Sequence, residues 1–144
     1  MIKAACHCTA VRFRIAEPPA WVLDCNCTLC RRYGALWCYY DLAGQTEKLL
    51  EHPDPAATET YTWLDGDIEF NRCRTCGCIT HMIGGDPKII FGVNSRMMLG
   101  LDPAKTAVRQ IDNGHTGVFW TKSDAPPIAS KHPVMPPPGP EDWR

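Results

Sequence analysis

Nine cysteines, at positions 6, 8, 25, 27, 30, 38, 73, 76 and 78, carry most of the chemistry that this chain's spacing offers. Seven fall into three tight groups: Cys6-His7-Cys8, Cys25-Asn26-Cys27-Thr28-Leu29-Cys30 and Cys73-Arg74-Thr75-Cys76. A disulfide needs Cα atoms about 4.4 to 6.8 Å apart with a torsion of its own, which loops of one or two residues seldom supply. Several thiolates converging on one ion need such loops. The odd cysteine count points the same way, as does the opening Met1-Ile2-Lys3-Ala4-Ala5, which lacks the apolar stretch of a secretion signal. The pattern therefore reads as metal binding.

Cys73-x-x-Cys76 followed by Gly77 has the form of a zinc knuckle, whose spacer lets backbone amides point at the sulfurs while glycine takes a positive φ without strain. A structural zinc wants four ligands, and Cys6 and Cys8 are the natural second pair. Joining Cys8 to Cys73 ties together positions 65 residues apart. A structural ion of this kind can contribute on the order of 10 kcal/mol to folding.

Cys25, Cys27 and Cys30 place three sulfurs in six residues, which suits a second tetrahedral ion with one corner left for a guest, the mark of catalytic zinc. The alternative is that Cys38 or Cys78 fills that corner and closes the site; each reads more simply as a small buried apolar residue. A divalent ion on three thiolates is a soft, weak Lewis acid in an anionic shell. An incoming thiol, with a pKa near 8.5, is bound there as thiolate more readily than water is ionised. The site thus favours thiol chemistry over hydrolysis. Arg31 and Arg32 follow Cys30 directly, and Arg72 and Arg74 flank Cys73. All four can compensate anionic metal centres, and Arg31 and Arg32 could also hold the carboxylates of an acidic substrate.

The elements that must position these residues read as strands. Ala10 to Ile15 alternates apolar and charged residues with period two, and Trp21-Val22-Leu23 and Leu36 to Tyr40 suit a pleated surface. Glu59 to Leu64, Ile68 to Asn71, Ile79 to Ile83, Ile89 to Val93 and Gly117 to Thr121 follow, separated by turn signals such as Asp65-Gly66-Asp67, Gly84-Gly85-Asp86 and Asp112-Asn113-Gly114. Helix is confined to a turn within Thr28 to Tyr33, stopped by Gly34, and a turn or two within Gln45 to Glu51. The fold class is mainly β with little helix, a small zinc-stabilised body over residues 1–124. A proline-rich tail over residues 125–144 reads as extended chain.

With 144 residues, 44% of them hydrophobic, the chain can bury one core of its own. No apolar run approaches the roughly 20 residues of a membrane span, so a soluble, cytoplasmic protein is expected. Fifteen Lys and Arg against sixteen Asp and Glu leave a net charge of −1 with no basic run. Loading thiolates with two zinc ions per chain makes the charge more negative still, which argues against a nucleic-acid partner.

Three motifs in this order resemble the family of glutathione-dependent formaldehyde-activating enzymes and the related centromere protein V domain. Cys6-His7-Cys8-Thr9-Ala10-Val11-Arg12-Phe13 is similar to the family opening, Cys25 to Arg32 to its central motif, and Cys73-Arg74-Thr75-Cys76-Gly77 to its knuckle. Thr9 stands where the family usually has glycine. The resemblance implies a β-tent-like fold, a structural zinc on Cys6, Cys8, Cys73 and Cys76, and a catalytic zinc on Cys25, Cys27 and Cys30 where glutathione binds. It implies a carbon–sulfur lyase of the type that joins glutathione and formaldehyde into S-hydroxymethylglutathione, or a relative acting on another thiol adduct of a small electrophile. His81 is the first candidate for proton transfer, ahead of His115, while His7 reads as a spacer in its ligand loop. Asn94 and Arg96, after a strand, are placed beside the pocket for substrate binding. The rival reading is a non-catalytic zinc module whose β surface or tail binds a protein partner.

Overall fold

The computed structural model describes residues 1–39, 48–63, 66–102, 104–112 and 119–121. His115, the 125–144 segment and part of the Gln45 to Glu51 stretch lie outside the described residues. The chain is mainly β. A four-stranded sheet has the order β10-β1-β2-β5, built from β1 (Ile2–Ala5), β2 (Arg12–Ile15), β5 (Leu49–Glu51) and β10 (Met98–Leu99). The remaining strands are β3 (Trp21–Cys25), β4 (Leu36–Tyr39), β6 (Thr58–Trp63), β7 (Ile68–Cys73), β8 (Ile79–Gly84), β9 (Ile89–Asn94), β11 (Ala107–Ile111) and β12 (Phe119–Thr121). They form an eight-stranded sheet in the order β12-β11-β3-β4-β9-β8-β7-β6. A helical turn, α1 (Cys30–Tyr33), follows the central cysteines.

Local sequence explains most of these elements. In β2 the period-two pattern puts Phe13 and Ile15 inside and Arg12 and Arg14 outside, where Arg14 pairs with Glu51 at 2.8 Å. α1 ends at Gly34, whose φ of 60° is the left-handed conformation that glycine adopts freely. The expected helix toward Glu51 is corrected: Leu49–Glu51 is a strand that pairs with β2, the long-range ladder outweighing local helical propensity. Three strands escape the sequence pattern, namely β1, β10 and β11; β11 runs parallel to β3 and is fixed by that distant partner.

Each face of the larger sheet carries its own core. Phe13, Ile15, Leu49 and Met98 of the smaller sheet pack with Cys38 and Val93 of the larger one, together with Cys6 and Cys73. The opposite face carries Trp37, Phe70, Met82 and Phe91 with Cys25, Cys27 and Cys30. Strand β8 is sandwiched between the two cores, so its residues are buried on both sides. Register breaks opposite Asn71–Arg72 and at Met82–Ile83 re-aim its side chains. Ile79 and Met82 therefore join the core of the cysteine triplet, whereas His81 meets Phe13 on the other side, ring centroids 5.4 Å apart.

Candidate metal centres

Cys6, Cys8, Cys73 and Cys76 converge where the two sheets meet: their sulfurs all lie within 4.8 Å of one another. The Cys6–Cys8 and Cys8–Cys73 separations are 3.6 and 3.5 Å. A tetrahedral zinc with Zn–S distances near 2.3 Å spaces its sulfurs about 3.8 Å apart, so four thiolates here fit that ion. The loops are shaped by amide-to-sulfur bonds. Val11 N–H donates to Cys6 Sγ at 3.3 Å, and the backbone N–H groups of Cys76 and Thr75 point at Cys73. Backbone N–H groups of Cys78 and Cys8 hold the Cys76 thiol down to about 5, while burial pushes Cys6 up to about 12. Thr9, in the tight turn after Cys8, has a φ of 62° and donates its N–H to Cys6 O at 2.9 Å. A β-branched residue holds that left-handed conformation only under strain.

The second cluster lies on the opposite face of the larger sheet. Cys25 ends β3, Cys27 sits in the loop and Cys30 opens α1; all three are buried, with sulfurs within 4.8 Å of one another. Cys30 N–H donates to Cys27 Sγ at 3.3 Å, and the Trp37 indole Nε1–H donates to Cys30 Sγ at 3.2 Å. Hydrogen bonds from Cys25 and Cys30, with backbone N–H groups behind them, pull Cys27 down to about 3. The same sharing pushes Cys25 up to about 11 and raises Cys30 further. One anion is thus stabilised by two thiols, and a divalent ion would replace those shared protons. The loop is pinned from outside by Asn26, whose Nδ2 donates to the buried Asp112 Oδ1 at 2.7 Å and whose backbone N–H reaches Ile111 O. Thr28 Oγ1, in the same loop, is buried without a hydrogen-bond partner among the described residues.

Neither cysteine considered as a fourth ligand joins the triplet. Cys38 is buried in the core between the sheets, and Cys78 packs at the edge of that core, where the His7 backbone N–H meets it. Among the described residues no other Cys, His, Asp or Glu completes the group. Arg31 and Arg32 are exposed beside it, Arg32 donating to Thr28 O at 2.6 Å. Arg72 and Arg74 are both spent on Glu59, Arg72 Nη2 at 2.7 Å and Arg74 Nη1 at 3.2 Å. Asn94 lies in register with Trp37. Its Nδ2 donates to Ile79 O at 3.0 Å, and its Oδ1 accepts from the backbone N–H of the exposed Arg96.

His81 is not brought to the triplet. It lines a cleft of about 530 Å³ on the other face with His52, Thr58, Thr60, Asn71 and Arg74. Its Nδ1 lies 2.9 Å from Thr80 Oγ1, whose own hydrogen goes to Asn71 O, so Nδ1–H donates. Burial holds His81 down to about 4. Sequence reasoning missed Trp37 and Tyr39, although the period-two alternation of β4 sets both on the triplet's face.

A family model describing glutathione-dependent formaldehyde-activating enzymes matches residues 1–98, which include all seven clustered cysteines. The chain belongs to that family. Membership makes it part of an enzyme family that acts with glutathione and formaldehyde, and its two cysteine clusters are compatible with zinc. A crystal structure of a Rhodobacter sphaeroides protein, solved as a structural-genomics target, is similar with a TM-score of 0.55. It is 27% identical, and the match covers 71% of this chain and 92% of that one. No curated protein matches the chain. Among the described residues no helix is long and apolar enough to cross a membrane.

Proposed function

We propose that this member of the family is a zinc-dependent carbon–sulfur lyase that makes or breaks the bond between a glutathione-type thiol and a small electrophile. Formation or cleavage of S-hydroxymethylglutathione is the leading reaction. The observation that carries this reading is the buried triplet of Cys25, Cys27 and Cys30, three sulfurs on one face with no fourth ligand from the described residues. Those three residues would hold the catalytic ion, and Cys6, Cys8, Cys73 and Cys76 the structural one. Zinc, when bound, supplies ionisation of the incoming thiol and a fixed position for its sulfur.

The chain's own groups do the rest. Cys27 and Cys30 are oriented by backbone and indole N–H donors, so the triplet is preorganised. The exposed Arg31 and Arg32 stand beside it as forked donors for the thiol's carboxylates, and Asn94 acts through Arg96, whose backbone it anchors. The reduced thiols that such a site requires suit a cytoplasmic location.

The test is exchange NMR with glutathione and isotopically labelled formaldehyde. Exchange between free formaldehyde and the adduct should accelerate in proportion to protein, and Cys27→Ala should abolish the acceleration while the fold survives. Exchange that ignores the protein would overturn the reading and leave a zinc module that binds a protein partner.

A further inference from the structure

Cys38, Val93, His81, Asn71 and Thr60 stand directly opposite one another on β4, β9, β8, β7 and β6, and so form one row across a single face of the larger sheet. Cys38 and Val93 belong to the core between the sheets. From His81 outward the row turns polar, and its three side chains line the cleft of about 530 Å³. His81 is where the two regimes meet, its ring packed edge-on to Phe13 and also lining the cleft. His81 and Asn71 are each only 2% exposed, a costly place for polar groups unless they have partners. Ile83, Ile90 and Pro53 add apolar walls. A cavity of this size, with apolar walls and a few convergent polar groups, is built as ligand sites are.

The bonds within the row set what each member offers. Thr60 Oγ1 spends its hydrogen on Asn71 Oδ1 at 2.8 Å, so its remaining role is to accept. Asn71 Nδ2 carries two hydrogens, one of them directed to Glu69 O at 3.3 Å. His81 gives its Nδ1–H to Thr80, which makes Nε2 its other polar atom; burial, with His52 nearby, holds the ring down to about 4, so at neutral pH Nε2 is a bare acceptor. A hydroxyl, which donates and accepts at once, matches such a floor. The rim is cationic: Arg74 lines the cleft, and Arg72 and Arg74 share the one carboxylate of Glu59, so that group keeps a positive charge. Glu69, on the same wall, is neutralised by Lys88.

We infer that this cleft is a second small-molecule site, on the face of the sheet opposite the cysteine triplet, and that it takes a polyhydroxylated carboxylate of the sugar-acid class. The ligand's hydroxyls donate to His81 Nε2 and Thr60 Oγ1 and accept from the second amide N–H of Asn71, while its carboxylate lies at Arg74. The row from Thr60 to His81 spans two strand spacings, about 10 Å, which calls for several hydroxyls along a chain rather than one. Recognition here is non-covalent and independent of the lyase reading.

The test is an NMR titration of the full, nitrogen-15-labelled chain with gluconate, alongside hexanoate, which keeps the carboxylate without the hydroxyls, and sorbitol, which keeps the hydroxyls without the carboxylate. Gluconate should shift the His81 ring nitrogens and the Asn71 side-chain amide along a saturating curve, with each control bound at least about tenfold more weakly. His81→Gln should weaken gluconate about tenfold and Thr60→Val about threefold. Thr60 stands at the exposed outer end of the row, so its variant carries the test even where His81→Gln fails to fold. Gluconate shifts that rise without saturating, that hexanoate or sorbitol reproduces at the same concentration, or that folded variants leave unchanged would overturn the site.

Discussion

The two cysteine clusters are built from the same ligand type and differ in where their ligands come from. The four-sulfur cluster draws on β1's end and the knuckle after β7, positions 65 residues apart, and sits against the core between the sheets. The triplet takes its sulfurs from six consecutive residues on the opposite face, and its loop is held from outside by hydrogen bonds that include those from Trp37 to Cys30 and from Asn26 to Asp112 and Ile111. An ion in the first cluster closes a long loop and so contributes to folding, whereas an ion in the second orders one short loop that backbone amides already shape. Placement therefore separates a cluster whose ion would tie distant segments together from one whose ion would order a single loop, and the proposed reading gives chemistry to the second.

The largest effect should break this contrast cleanly if it is wrong. Cys73→Ser is expected to unfold the chain, a loss on the order of 10 kcal/mol, while Cys27→Ala keeps a native-like amide NMR spectrum and binds one zinc fewer. Equal damage from both substitutions would erase the distinction. Acid comes next. The His81 pKa lies below its unfolded value, so its contribution is fully present above about 6.5 and is lost as pH falls toward about 4. Urea unfolding should show up to about 3 kcal/mol of lost stability across that window. His81→Gln should flatten this slope without touching the triplet.

Two smaller effects sharpen the contrast. Trp37→Phe removes the N–H donor to Cys30 and should weaken zinc at the triplet about 10- to 100-fold in chelator competition, with the four-sulfur cluster unmoved. Thr9→Gly relieves a left-handed φ of 62° in the turn after Cys8 and should raise stability by about 1 kcal/mol, read as a higher urea midpoint.

Much of this was legible in the residues because the cysteine spacing is local: one- and two-residue spacers report ligand loops directly, and Gly34 reports the end of α1. Alternation in β2 was equally plain. β11 was not legible, because Ala107–Ile111 lacks clean alternation and is held by parallel pairing with β3. Leu49–Glu51 misled for the same reason, its partner being β2. His81 was placed without its surroundings, since the register breaks that turn it away from the triplet depend on three strands together. Trp37 and Tyr39 sat in a strand read correctly, but which face that strand turned to the sulfurs is a property of the whole sheet.

Zinc-edge X-ray absorption on the freshly purified chain, before and after adding glutathione, tests the central claim most directly. Two zinc ions per chain are expected, with the average number of sulfur ligands rising on addition of glutathione in the parent and not in Cys27→Ala. A spectrum that glutathione leaves unchanged, with both ions already surrounded by protein ligands, would contradict the account.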